Sequence, residues 1–173
     1  SQMEDTFSVI MLALVNGQPK VLNLKQILYH YVQHQKDVVT RRTKFELNKA
    51  EARAHILEGL RIALDNIDAV ISLIRGSKTT QEAKTGLMNK FGLTDIQAQA
   101  ILDMRLQRLT GLERDKIEAE YEELIKKINR LKEILANERL LLNVIKEEML
   151  IIKENYADER RTEIRHAEGE IDM

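Results

Sequence analysis

Hydrophobic and polar positions divide the chain into a hairpin, two long helical stretches and a knot of short helices between them. Phe7 to Val15 is rich in β-forming residues, Asn16-Gly17 is a strong turn signal, and Lys20-Val21-Leu22 can return as a strand. Pro19 confines that return strand to an edge. Between Val9 and Val15 the apolar residues fall on both strand faces, while a two-stranded ribbon covers one face at most. The cover is expected from sequence outside this chain.

From Leu24 to Ile74 the chain runs without proline and with one glycine, Gly59. At about 1.5 Å per residue such a helix reaches ~75 Å, longer than a compact domain of this size is wide. Its ends are apolar (Leu24, Ile27, Leu28, Tyr31, Val32; Leu57, Leu60, Leu64, Ile67, Val70, Ile71, Ile74), and its middle, Thr40 to Lys49, asks for little burial. Asn23 is the expected N-cap, with Gln26 completing a box and Leu22 facing Ile27 as a staple. Asp65-Asn66-Ile67-Asp68 can bond its own backbone, so a kink is expected at 65–68, with Asp68 capping a fresh helix from Ala69. Thr79 with Glu82, Thr94 with Gln97 and Thr110 with Glu113 are three further capping boxes, and Gly92 is a stop. They predict short helices over 76–111, one of them running from Thr94 to about Leu109.

The spacing of Leu112, Ile117, Tyr121, Leu124, Ile128, Leu131 and Leu135 predicts a second long helix over 112–157, with a break or hinge at Ala136-Asn137-Glu138. Two arms of ~65 Å then lie antiparallel with the short helices at their tip, placing Phe45 near Ile134. The expected fold is all-α: a long antiparallel two-helix coiled-coil arm with a small helical tip, an N-terminal β-hairpin over 1–22, and a linker over 158–173.

Composition supports this picture, with 43% hydrophobic and 32% charged residues, one proline and 4% aromatics. The net charge of −1 supplies no global field for nucleic acid, so a DNA contact must be local. Arg41, Arg42 and Lys44 are the candidate patch. The absence of cysteine excludes disulfides and thiol chemistry. No apolar run is long enough to span a bilayer, so no membrane contact is expected and the chain reads as cytoplasmic. It opens on Ser1-Gln2 and passes straight into strand-like sequence, which is the look of a piece of something longer.

Catalytic chemistry is scarce. His30 and His34 share a helix face but lack a third metal ligand. Tyr29, Tyr31, Tyr121 and Tyr156 lie in helical patterns without a base to activate them, so packing is the expected role. No glycine-rich phosphate loop is present. No catalytic, cofactor or metal residue is assigned. The sharper signal is the helix after Thr94, which carries two apolar stripes. The leucine-rich Ala98, Leu102, Leu106 and Leu109 are assigned to the core of the tip, and Ile96, Ala100 and Met104 to contact with a second copy of the chain, since closed two-fold dimers are the commonest assembly.

Three segments carry a resemblance: Ala52-Arg-Ala-His-Ile-Leu57 running on to Asp65; Gln97-Ala-Gln-Ala-Ile-Leu-Asp-Met-Arg-Leu-Gln-Arg-Leu-Thr-Gly-Leu-Glu113; and Asp158-Glu-Arg-Arg-Thr-Glu-Ile164. Together they resemble the A subunit of DNA gyrase, in a Gram-positive-like form, more than the A subunit of its relative topoisomerase IV. The resemblance implies the coiled-coil arm and exit gate (C-gate) of a type II topoisomerase that negatively supercoils DNA by ATP-dependent strand passage. It implies a homodimer through the tip, with the hairpin as the edge of a tower domain. It places the catalytic tyrosine upstream, ATP and Mg on the companion B subunit of gyrase, and a DNA-wrapping domain beyond residue 173. The rival is a non-enzymatic coiled-coil spacer, which needs no doubly apolar tip.

Overall fold

The computed structural model describes residues 3, 5, 7–104 and 111–164 and places them in a two-stranded ribbon followed by six helices. Strands β1 (Met11–Val15) and β2 (Gln18–Leu22) pair antiparallel from Met11↔Leu22 to Val15↔Gln18. Asn16 and Gly17 turn the chain with φ of 53° and 78°, the doubly positive geometry of a tight hairpin. The strand starts at Met11, later than Phe7, because β2 ends at Leu22 and the chain then enters a helix cap. Among the described residues no strand pairs with Phe7–Ile10.

Helix α1 (Leu24–Asp65) is 42 residues long, or ~63 Å. Its start is a reciprocal box: Gln26 N–H donates to Asn23 Oδ1 and Asn23 N–H donates to Gln26 Oε1, both at 2.9 Å. The break comes at Asn66, where φ −121° and ψ 35° leave helical geometry, and α2 (Ile67–Gly76) begins one residue on. Asp68, the expected cap, instead sits in the first turn of α2, where a carboxylate favours the positive end of the helix dipole.

Helix α3 (Thr80–Phe91) is capped by Thr79, whose Oγ1 accepts the Glu82 N–H at 3.2 Å, and ends on Gly92 at φ 66°. The Glu82 carboxylate accepts from Lys78 N–H at 2.9 Å, one residue short of closing the predicted box. Helix α4 (Asp95–Leu102) has the full box between Thr94 and Gln97 but stops well before Leu109. Its last turn tightens, with the Met104 N–H donating to Ile101 O, three residues back. Leu106, Leu109 and the Thr110 cap lie outside the described residues.

Helices α5 (Gly111–Ala136) and α6 (Glu138–Tyr156) return antiparallel along α1. Between them Asn137 is extended, and its Oδ1 accepts the Arg139 N–H at 2.9 Å. Buried positions on α1 include Val39, Thr43, Ala50, Ala54 and Leu57, spaced by four, seven, four and three, which is the seam of a two-helix arm. Ile134 shares a cluster with Val39, Leu141 and Ile145. Phe45, assigned a place near Ile134, is 68% exposed: it stands two residues from Thr43, about 200° around the helix and off the seam. The largest core lies at the tip, where Leu57, Leu60, Ala63 and Leu64 of α1 meet Val70, Leu87, Leu93, Ala98, Ile101 and Ile117.

Candidate functional site

The tip presents an apolar groove of about 270 Å³ between α2 and the end of α4, lined by Ile67, Val70, Ile71, Ile74, Arg75, Ile101, Leu102 and Met104. Val70 and Ile101 form its buried floor, and the other apolar residues are half-exposed. Arg75, exposed, is its charged member. Apart from Arg75, every residue lining it is apolar.

Behind the groove α4 is fastened to α1. Gln97, only 5% exposed, donates through Nε2 to the backbone oxygen of His55 at 2.8 Å and faces His55 Nδ1 at 3.4 Å. Its Oε1 accepts the Thr94 N–H at 3.0 Å. His55 Nε2 meets Thr94 Oγ1 at 2.8 Å, so the same imidazole touches the helix cap. The close approach depends on Gly59, where an added Cβ would lie 2.6 Å from Gln97 Cβ.

Ion pairs stitch the arms. Arg53 takes Glu120 through Nε at 2.7 Å and Nη2 at 2.9 Å, a bidentate contact that raises the Arg53 pKa. Arg61 meets Glu118 at 2.6 Å and Lys132 meets Glu51 at 2.7 Å, while Lys36–Glu138, Arg42–Glu148 and Arg114–Asp65 extend the series along the shaft.

A family model for the A subunit of DNA gyrase and topoisomerase IV matches residues 1–150. The chain belongs to this family. It is 64% identical to the DNA gyrase A subunit of Clostridium acetobutylicum over 173 residues, all of this chain and 21% of that protein. It is 64% identical over 166 residues to that of Halalkalibacterium halodurans (96% of this chain, 20% of that protein), and 56% identical over 171 residues to that of Deinococcus deserti (99% and 21%). The chain thus spans about a fifth of the length of these gyrase relatives.

In this gyrase-family chain the two stripes expected on α4 do not separate. Ala98 is fully buried, and Leu102, assigned to the core, does pack on the tip core but is half-buried and also lines the groove beside Met104, assigned to the contact. Ala100 and Met104 both pack on the tip core, and Ile96 is 61% exposed away from the groove. For Met104 the reason is the early end of α4: past Leu102 the chain no longer follows a helical line, so Met104 does not continue the Ile96–Ala100 face. Ile101, buried on the groove floor, and Gly59 were unassigned, and Gln97 was read as the box partner of Thr94 but not as a contact to α1. A lone glycine in a 42-residue helix was the available signal for Gly59.

The basic patch is also changed by the fold. Arg41 bonds Asp37 at 3.1 Å one turn back and Arg42 pairs with Glu148, while Lys44 is exposed. Tyr121 lies under Arg61, Tyr31 Oη approaches Met149 Sδ at 3.6 Å, and Tyr29 stands edge-on to His30. Among the described residues no three His, Asp or Glu side chains cluster as a metal site requires, and no helix is long and apolar enough to cross a membrane.

Proposed function

We propose that the chain is the C-gate arm of a gyrase-type enzyme, the segment through which two copies of the A subunit meet and a transported duplex leaves. The observation that carries this reading is the apolar groove at the far end of a ~63 Å arm. A spacer has no use for such a surface at its tip, whereas a contact that must hold and then part suits adaptable Met104 beside half-exposed isoleucines. The dissolved stripe division moves the proposed contact from Ile96-Ala100-Met104 to the groove, with Met104 the member common to both.

In the whole enzyme the hairpin is the edge of a neighbouring tower domain, which supplies the cover for Leu12 and Leu14, 67% and 75% exposed here. The parent complex, with its B subunit providing ATP and Mg, supercoils DNA in the cytoplasm; this segment contributes no catalytic tyrosine and no cofactor ligand. The high identity to gyrase A subunits favours gyrase over topoisomerase IV. Ala136, Asn137 and Glu138 serve as the hinge at which the arm bends when the gate opens, and Arg41, Arg42 and Lys44 as a weak DNA contact.

Because the chain has no cysteine, Met104→Cys creates a single thiol. Mild oxidation is expected to give a covalent dimer, with no such product from Phe45→Cys on the shaft. Equal cross-linking by the two variants would count against a contact through the groove.

A further inference from the structure

Gln97 stands out among the groups the gate reading leaves unused. Of the described residues, Gln97 and Thr43 are the buried polar ones, and Thr43 satisfies its hydroxyl locally on Val39 O at 2.7 Å. Gln97 instead reaches across 42 residues of sequence to His55. A buried amide is costly unless every bond is made, so it gives little net stability but tolerates little displacement. Leu57, Leu60 and Ala98 alone make non-directional contacts, which could re-form with other apolar neighbours after a slide at a cost in packing. The bonds of Gln97 could not, because that slide strands its amide between His55 O and Thr94 N–H.

The clamp grips the first turn of α4, and the other end of that eight-residue helix carries Ile101 and Leu102, followed by Met104, into the groove. A helix of this length is ~12 Å long, so rotation at its fixed end is translated into displacement at the groove. We infer that His55 and Gln97, seated through Gly59, are positioning residues that set the angle at which α4 presents Leu102 and Met104 to the second copy of the chain. This rests on the gate reading above. Buried polar groups are known to fix register at a cost in stability, and here the register is that of tip against arm.

The test uses Gln97→Leu, which keeps the volume but removes the bonds, and Gly59→Ala, which pushes on the same contact from α1. Spin labels at Lys49→Cys and Asp103→Cys, in chain diluted into unlabelled chain, report the tip angle within one protomer, and sedimentation reports dimerisation. We expect Gln97→Leu to stay folded with its helix content kept while the label distance broadens or shifts and the dimer dissociation constant rises at least tenfold. Gly59→Ala should shift the distance in the same way wherever it folds. Unchanged label distances with unchanged dimerisation in Gln97→Leu would overturn the inference, and so would a changed distance with undiminished dimerisation. A wild-type chain that shows no dimer contradicts the gate reading itself, and its label distances then test the clamp alone.

Discussion

The guanidinium carbon of Arg61 lies 4.4 Å from the centre of the Tyr121 ring, while Arg61 Nε bonds Glu118 at 2.6 Å. Tyr121 packs against both the tip core and the small Ala50-Ala54-Ile128 cluster, so its ring is the joint between arm and tip. A cation over a partly exposed ring contributes roughly 0.5–1 kcal/mol. A double-mutant cycle with Arg61→Met and Tyr121→Leu, read by urea unfolding, should return a coupling of about that size. Additive effects would mean that the two side chains only happen to be close.

Asn137 interrupts the return arm, and its side chain satisfies the Arg139 N–H at the start of α6. Asn137→Ala should destabilise the chain by about 1 kcal/mol, with an unchanged dependence on urea concentration. A neutral effect would show that the break is held by tertiary packing without need of the cap.

Beside that break Lys36 bonds Glu138 and lowers the Glu138 pKa below its ordinary 4.5. A carboxylate depressed in the folded state stabilises at pH above its unfolded value and loses that contribution as pH falls through the lower, folded value. The melting temperature of the wild type should therefore exceed that of Glu138→Gln at neutral pH, and the difference should shrink as the pH drops below about 4.5. Both residues are partly or wholly in solvent, so added salt should shrink it as well.

Much of the fold could be read from local signals, since Asn23, Thr79, Thr94 and Asn137 each start a helix through a side chain bonded to nearby backbone. The arm was legible because apolar spacing persists over many turns. What could not be read depended on where a helix stops without a glycine or proline. The tightened turn at Ile101–Met104 ended α4 and took Met104 off its expected face, and no residue there marks it. Phe45 was misplaced for a related reason: Ile134 packs beside Val39, nearly two turns away, and Phe45 is on the wrong face, because Thr43 and the alanines that form the seam are small or polar and look like surface. The Gln97–His55 clamp joins residues 42 apart, and only the packed tip reveals it.

The pairing of Arg41 with Asp37 and Arg42 with Glu148 bears on DNA. Two of the three cations in the proposed contact are partly neutralised, so the isolated chain should bind a duplex weakly and with a shallow salt dependence, since few phosphates are neutralised. Asp37→Asn combined with Glu148→Gln should raise the affinity and steepen the logarithmic salt slope by up to about two units, close to one for each phosphate gained. Fluorescence anisotropy of a labelled duplex measures this, and an unchanged slope would place any DNA contact elsewhere.

The central claim is that the tip groove joins two copies of this chain, and its most direct test is the mass of the chain in solution. Light scattering at tens of micromolar should give twice the chain mass of 20.1 kDa. Ile71→Arg, which places an unpaired charge in the groove, should give 20.1 kDa with helix content unchanged. An unsubstituted chain of 20.1 kDa at that concentration, or an Ile71→Arg chain that stays dimeric, would contradict the claim.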